Sequence, residues 1–160
     1  MKIRTLIVDD EPLARQRIRL LLGEAPDMEI IGECADGHAD VITLERDTPD
    51  LLFLDVQMPG LDGFGVLTAL RADAMPVVIF TTAFDQYAVR AFEAHALDYL
   101  LKPFKPARFE DALARARTAL ATRHGGGAAQ GLLELISLQN GRRITMTRGL
   151  REVEQVLKFS

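Results

Sequence analysis

Residues 51–60 read Leu51-Leu52-Phe53-Leu54-Asp55-Val56-Gln57-Met58-Pro59-Gly60. The four consecutive apolar residues predict a strand that is buried on both faces, and the Pro and Gly that follow mark a loop. A strand of this kind is typical of a parallel sheet that helices cover on both sides. In such sheets, ligands bind just outside the carboxyl ends of the strands. Asp55 therefore stands where the chemistry of this fold is expected.

The first 120 residues alternate between strand and helix five times. Apolar runs predict strands at residues 4–8, 28–34, 51–54, 77–80 and 98–101. Apolar residues at helical spacing predict helices that begin near Pro12, Gly37, Phe64, Phe84 and Phe109. This alternation predicts a doubly wound α/β domain built on a five-stranded parallel sheet.

Composition and charge predict a globular protein with two unequal segments. Apolar residues make up 48% of the chain and charged residues 26%, and the net charge of −4 neither indicates nor excludes a nucleic-acid partner. The first 124 residues hold 14 basic and 20 acidic side chains, whereas the segment from Gly125 onward holds 5 basic and 3 acidic ones. A change of sign at a Gly-rich break indicates segments with different roles.

Cysteine usage and apolar patterning predict a cytoplasmic protein. Cys34 is the only cysteine, which excludes an internal disulfide, and its place in a predicted strand favours a buried thiol over a reactive one. The N-terminus shows no signal-peptide pattern, and no apolar run approaches membrane-spanning length. His38, His95 and His124 lack metal-ligand spacing, and we interpret them as surface or helix-terminal residues.

The predicted strand ends bring five polar residues to one edge of the sheet: Asp9, Asp10, Asp55, Thr82 and Lys102. Neighbouring carboxylates repel one another, and a hard cation such as Mg²⁺ would relieve that repulsion. A hydroxyl and an ammonium group suit the binding of a phosphate. Together these groups predict phosphoryl transfer to Asp55. Each residue alone has a plainer interpretation, as a helix cap, a turn residue or a surface lysine, and the prediction depends on their common edge.

Four segments resemble the receiver domain of bacterial two-component response regulators, which has a flavodoxin-like fold. They are Leu6-Ile7-Val8-Asp9-Asp10-Glu11-Pro12, Leu54-Asp55-Val56-Gln57-Met58-Pro59-Gly60-Leu61-Asp62-Gly63, Thr81-Thr82-Ala83 and Asp98-Tyr99-Leu100-Leu101-Lys102-Pro103-Phe104. Residues 81–88, with 91–93 and 96–100, further resemble receivers that precede a LytTR-type DNA-binding domain.

The resemblance implies a role for each residue at the predicted site. Asp55 would accept phosphate from a sensor histidine kinase. Mg²⁺ would be held by Asp10, Asp55 and the backbone carbonyl of Gln57, with Asp9 acting through a water molecule. Lys102 would pair with the carboxylate and then with the phosphate.

The resemblance also implies a conformational switch. Thr82 would move to hydrogen-bond the phosphate, and Tyr99 would swing inward behind it, although an aromatic residue in a short strand is more often part of the core. The Lys102–Pro103 peptide bond would be cis. The family commonly forms homodimers through the fourth and fifth helices, so the stripe that contains Phe84 and Tyr87 serves either the core or an interface.

The predicted domain organisation is a receiver domain over residues 1–122, a Gly-rich linker over 123–131 and a short tail over 132–160. Gln139-Asn140-Gly141 predicts a hairpin turn in that tail. The tail is either an incomplete LytTR-like output segment or a segment with another role. We expect DNA binding only where a complete output domain is present.

We therefore predict a signalling switch, and not an enzyme that acts on other substrates, with transcription as its expected output. One alternative is a stand-alone receiver that acts through protein contacts. A second is a Mg²⁺-dependent phosphatase with an Asp nucleophile, but such an enzyme needs an acid two residues after the nucleophile, and Gln57 cannot supply a proton. A third, a degenerate receiver, is disfavoured because the set of polar residues is intact.

Overall fold

The computed structural model describes residues 2–124. The predicted tail and all but the first two residues of the predicted linker lie outside this range. The strands are β1 (Ile3–Val8), β2 (Met28–Cys34), β3 (Leu51–Asp55), β4 (Val77–Thr82) and β5 (Asp98–Leu101). The helices are α1 (Pro12–Leu22), α2 (Gly37–Asp47), α3 (Gly63–Ala69), α4 (Ala88–Glu93) and α5 (Pro106–His124). Among these described helices, none combines the length and the apolar character that crossing a membrane requires.

The five strands form one parallel sheet in the order β2-β1-β3-β4-β5. The chain starts in β1, the second strand of the sheet, continues to β2 at the adjacent edge, and then crosses back to place β3 on the other side of β1. The register sets Val8 beside Leu54 and Asp55 beside Thr81. This arrangement confirms the predicted flavodoxin-like fold. Its topological switch point lies between β1 and β3, where ligands of such sheets bind.

Two hydrophobic clusters cover the two faces of the sheet and explain why β3 is apolar throughout. Phe53 belongs to the cluster on the α1 and α5 side, where its ring stacks on Phe109 at 5.3 Å between centroids. Leu52 and Leu54 belong to the cluster on the opposite side, together with Phe80. Every residue of β3 is buried. Both faces of the strand therefore need apolar side chains, and the polar Asp55 comes only at its end.

One predicted boundary was wrong. The fourth helix was expected from Phe84, but residues Asp85–Tyr87 form a 3₁₀ turn and α4 is a short helix of six residues. The division into a receiver domain and a linker at residue 123 stays a prediction, and α5 continues through His124, two residues into the predicted linker. Residues 123 and 124 extend the helix because the first strong helix breaker is the Gly run that starts at Gly125.

One buried carboxyl group in α2 is predicted to make stability depend on pH. Asp40 is 0% exposed, and neither of its carboxylate oxygens has a hydrogen-bond partner among the described residues. Burial raises the pKa of Asp40 to about 6, against a smaller opposing effect of the Cys34 thiol. Cys34 is half-buried and not fully buried as predicted, but its burial, followed by the negative charge of Asp40, raises the pKa of the thiol to about 11, which favours an unreactive thiol.

The expected result for Asp40→Ala is a gain in stability that appears only as pH rises. The pKa of Asp40 is higher in the folded state than the value of about 3.9 in an unfolded chain, so wild type loses stability between pH about 4 and about 6. We expect the variant to gain about 2–3 kcal/mol on wild type across that window, measured by urea unfolding. Asp73→Ala, at a side chain that is 78% exposed, is the matched control. A difference between Asp40→Ala and wild type that is constant with pH would contradict the prediction.

Candidate functional site

The switch point of the sheet gathers a cluster of carboxylates. Asp9 follows β1 directly and Asp55 ends β3, so the parallel pairing of these two strands brings both side chains to the same edge. Asp9 is 0% exposed and Asp55 4% exposed, while Asp10 is half-buried and Glu11 is exposed. One carboxylate oxygen from each of the four residues lies within 4.8 Å of the others. The structure therefore brings together the three acidic residues that the sequence predicted and adds Glu11.

Lys102 reaches this cluster from the end of β5. Its Nζ lies 2.7 Å from Asp9 Oδ2, 3.3 Å from Glu11 Oε1 and 3.8 Å from Asp55 Oδ2. The peptide bond between Lys102 and Pro103 is cis. Burial lowers the pKa of Lys102, but its hydrogen bond to Asp9 and the surrounding negative charges outweigh burial and raise the pKa above its usual value. The ammonium group is therefore charged at neutral pH, and its closest partner is Asp9 and not Asp55.

One ammonium group does not neutralise the carboxylates around it. Burial, and after it the negative charge of Asp9, raises the pKa of Asp55 to about 7, although Lys102 acts in the opposite direction. The backbone N–H of Gln57 donates to Asp55 Oδ1 at 3.3 Å, which fixes one side of the carboxylate. A group of crowded oxygen donors with excess negative charge fits a hard divalent cation such as Mg²⁺.

The two predicted switch residues meet at the backbone of Phe84. Thr82 is buried, and its Oγ1 accepts a hydrogen bond from Phe84 N at 3.2 Å. The hydroxyl of Tyr99, which is half-buried, donates to the carbonyl oxygen of Phe84. Thr82 and Tyr99 are thus joined through the loop between β4 and α4, and the Thr82 hydroxyl bonds to this loop.

Sequence reasoning missed two residues that support the acidic cluster. Glu11 occupies the N-cap position of α1, but its side chain makes no capping hydrogen bond and lies 3.3 Å from Lys102 Nζ instead. Arg15 Nη1 donates to the carbonyl oxygen of Asp9 at 2.6 Å, and Arg15 Nε lies 3.3 Å from Glu33 Oε1. Arg15 therefore holds the turn that presents Asp9. No spacing in the sequence indicates this contact, because it depends on the direction of the side chain across the first turn of α1.

Tyr87 is a further residue near the site. From the sequence it was assigned only to an apolar stripe that serves either the core or an interface. Its ring does contact Phe64, at 6.2 Å between centroids, but its hydroxyl also accepts a hydrogen bond from Gln57 Nε2 at 2.9 Å. Gln57 and Tyr87 line a cavity of about 440 Å³ together with Asp10, Met58 and Asp62, among others. The cavity opens beside the acidic cluster, so Tyr87 belongs to the surroundings of the site.

Comparison with known proteins identifies the family. The model of the response regulator receiver domain matches residues 5–114. Over 115 residues the chain is 50% identical to the transcriptional regulatory protein BtsR of Escherichia coli (strain K12), an alignment that covers 72% of this chain and 48% of BtsR. Over 154 residues it is 38% identical to an uncharacterized response regulatory protein of Shewanella oneidensis, covering 96% of this chain and 65% of that protein. The chain therefore spans about half the length of BtsR.

Solved structures agree with this assignment. The response regulatory domain of mrkE from Klebsiella pneumoniae superposes with a TM-score of 0.69 at 36% identity, over 74% of this chain and 98% of that one. The REC domain of AraT, a response regulator from Geobacillus stearothermophilus, gives a TM-score of 0.70 at 31% identity, over 77% and 98%. From the matched family model, the relatives and the fold, we conclude that this chain belongs to the response regulator receiver domain family.

Proposed function

We propose that the chain is a phosphorylation-dependent signalling switch in which Asp55 accepts a phosphoryl group from a sensor histidine kinase. The observation that carries the proposal is the position of Asp55. Its carboxylate is buried at the switch point, within 4.8 Å of the other acidic side chains, and has Lys102 Nζ at 3.8 Å. The relatives are named as response regulatory and transcriptional regulatory proteins, which supports a switch over an enzyme that turns over other substrates.

In this proposal Asp55 is the nucleophile of the transfer. One of its carboxylate oxygens forms a bond to phosphorus while the bond between phosphorus and the donor's nitrogen breaks. Asp10, Asp55 and the backbone carbonyl of Gln57 would hold Mg²⁺, with Asp9 acting through water, and the ion would neutralise charge on the phosphoryl oxygens. Lys102, held close by Asp9, lies near enough to Asp55 to contact the same oxygens.

Thr82 and Tyr99 would transmit the conformational change that follows phosphorylation of Asp55 to other parts of the domain. The Thr82 hydroxyl accepts its hydrogen bond from Phe84 N, and turning it to donate to a phosphoryl oxygen breaks that bond. The backbone of Phe84 also holds the Tyr99 hydroxyl, so a rearrangement at Phe84 reaches β5. This chain of contacts supports the predicted roles of both residues as switch elements.

Homodimerisation through the α4 and α5 side belongs to the same proposal. Three large apolar side chains near α4 and β5 are exposed: Phe84, Val89 and Leu101. The output would be transcriptional, which is supported by the name of BtsR, a transcriptional regulatory protein of which this chain covers about half. A LytTR-type DNA-binding domain would carry that output, a proposal that rests on the resemblance of residues 81–88, 91–93 and 96–100. A stand-alone receiver that acts through protein contacts is the alternative output.

The experiment that tests the proposal is intact mass spectrometry of wild type after incubation with a small phosphodonor. With acetyl phosphate and Mg²⁺ we expect one phosphoryl adduct, and with EDTA in place of Mg²⁺ we expect none, because the crowded carboxylates then repel the incoming phosphate. A phosphoramidate donor provides a second, chemically different source. No adduct from either donor with Mg²⁺ present, or equal adduct with EDTA, would refute this proposal.

A further inference from the structure

The two aspartates that follow β1 are joined by a peptide unit whose carbonyl oxygen is held from α1. Arg15 Nη1 donates to this oxygen, Asp9 O, at 2.6 Å. A peptide unit is planar, so fixing its oxygen also fixes the direction of Asp10 N and the position at which Asp10 Cα follows. One side-chain hydrogen bond therefore helps to set the relative positions of two carboxylates of the acidic cluster.

Asp10 depends on this hydrogen bond more than Asp9 does. Asp9 has three other contacts: its N–H donates to Cys34 O at 3.0 Å, and its carboxylate accepts from Glu11 N at 2.9 Å and from Lys102 Nζ at 2.7 Å. Asp10 is half-buried and lies between β1 and α1, outside both elements. Its place is therefore set by the peptide units on either side of it.

Glu33 of β2 orients the guanidinium group of Arg15. Arg15 Nε lies 3.3 Å from Glu33 Oε1, and the Arg15 side chain is only 19% exposed. The guanidinium group is planar and its N–H groups point in fixed directions, so the contact with Glu33 aims another N–H at Asp9 O. Arg19, one turn further along α1, pairs with Glu33 Oε2 at 2.5 Å and is more exposed. The two arginines thus share Glu33, and Arg15 is the one that bonds to Asp9 O.

We propose that Arg15, oriented by Glu33, is a positioning residue that raises the affinity of the acidic cluster for a divalent cation. It would do so by fixing the peptide unit between Asp9 and Asp10. The inference rests on the proposed function, because it concerns the Mg²⁺ site of the same reaction. Neither Arg15 nor Glu33 would ligate the ion. They act as outer partners that hold ligands in the binding geometry.

The charge of Arg15 and its hydrogen bond have opposite effects on a bound cation. A guanidinium group near the cluster repels a cation, so removal of its charge alone would tighten binding. Loss of the hydrogen bond to Asp9 O would loosen the peptide unit and weaken binding. The direction of the change in affinity therefore separates positioning from electrostatics.

The test is isothermal titration calorimetry of Mg²⁺ into the full chain, which measures binding without phosphoryl transfer. Arg15→Met keeps the length of the side chain and removes its charge and its donors, and we expect the dissociation constant to rise about tenfold. Arg15→Lys keeps the charge and one compact donor, so it should lie between wild type and Arg15→Met. Arg19→Met is the matched control, since it removes the other arginine that pairs with Glu33, and it should not weaken binding.

A double variant tests whether Glu33 acts through Arg15. Glu33→Ala should weaken Mg²⁺ binding by less than Arg15→Met does. The double variant of Arg15→Met and Glu33→Ala should match Arg15→Met, because Glu33 has nothing to orient once the guanidinium group is gone. If charge alone mattered, the opposite charges lost in the double variant would cancel and it would bind as wild type.

Four results would each overturn the inference: unchanged or tighter binding in Arg15→Met, equal weakening in Arg19→Met, a double variant that binds as wild type, or no Mg²⁺ binding by wild type. Urea unfolding with EDTA present would show that each variant is folded. Labelling by acetyl phosphate tests the proposed function separately. Arg15→Met should need about tenfold more Mg²⁺ for half-maximal labelling and reach the wild-type rate at saturation. A wild type that binds Mg²⁺ without forming an adduct would refute the proposed function, and calorimetry would still decide the role of Arg15.

Discussion

Asp55→Asn should form no phosphoryl adduct under conditions in which wild type is fully labelled. The substitution replaces the nucleophilic carboxylate with an amide of nearly the same shape, so it removes the chemistry with little change in packing. The amide oxygen can still accept the hydrogen bond that Gln57 N donates to Asp55 Oδ1. Loss of labelling would therefore report the nucleophile itself. The measurement is intact mass after incubation with acetyl phosphate and Mg²⁺, followed by peptide mapping of the labelled wild type.

The control for this variant is Asp50→Asn. Asp50 lies immediately before β3, at the opposite end of that strand from Asp55, and its carboxylate accepts a hydrogen bond from Arg4 N. An amide can replace that acceptor, so we expect normal labelling. Labelling of Asp55→Asn at the wild-type level, or mapping of the adduct to another residue, would show that Asp55 is not the acceptor.

The same substitution should stabilise the metal-free protein, and the effect should grow with pH. Burial and the neighbouring Asp9 raise the pKa of Asp55 to about 7, above the value of about 3.9 in an unfolded chain. The folded state therefore binds this proton more tightly, and wild-type stability falls as pH rises from about 4 to about 7. Asp55→Asn has no such group. At pH about 8 with EDTA we expect it to exceed wild type by up to about 4 kcal/mol in urea unfolding, and near pH 4 by almost nothing.

Two comparisons sharpen this second prediction. Asp10→Asn should stabilise the metal-free fold in the same direction but by less, because Asp10 is half-buried whereas Asp55 is 4% exposed. Mg²⁺ should stabilise wild type more than either variant, since each variant lacks one of the carboxylates that would hold it. Equal or lower urea midpoints for both variants with EDTA present would contradict a repulsive acidic cluster.

The sequence was sufficient for the fold and for three of the four members of the acidic cluster, Asp9, Asp10 and Asp55. A run of four apolar residues is typical of a strand buried on both faces, and the fivefold alternation of strand and helix indicated a parallel sheet that helices cover. The positions of β3 and its neighbours could therefore be predicted. In such a sheet the carboxyl ends of all the strands lie at the same edge. The residues at the ends of β1, β3 and β5 are therefore close to one another in the fold. Asp9, Asp55 and Lys102 could therefore be grouped in advance, while the limits of the fourth and fifth helices could not.

Only the tertiary structure decided which of these groups bond to each other. Lys102 is 93 positions from Asp9 in the chain, and its choice of Asp9 at 2.7 Å over Asp55 at 3.8 Å depends on the stagger of β1, β3 and β5. The hydrogen bond that Gln57 Nε2 donates to Tyr87 Oη likewise depends on how the loops after β3 and β4 approach each other. A sequence pattern reports which face of an element a residue occupies. It does not report the side-chain torsions and the ångström-scale separations between elements on which hydrogen bonds and ion pairs depend.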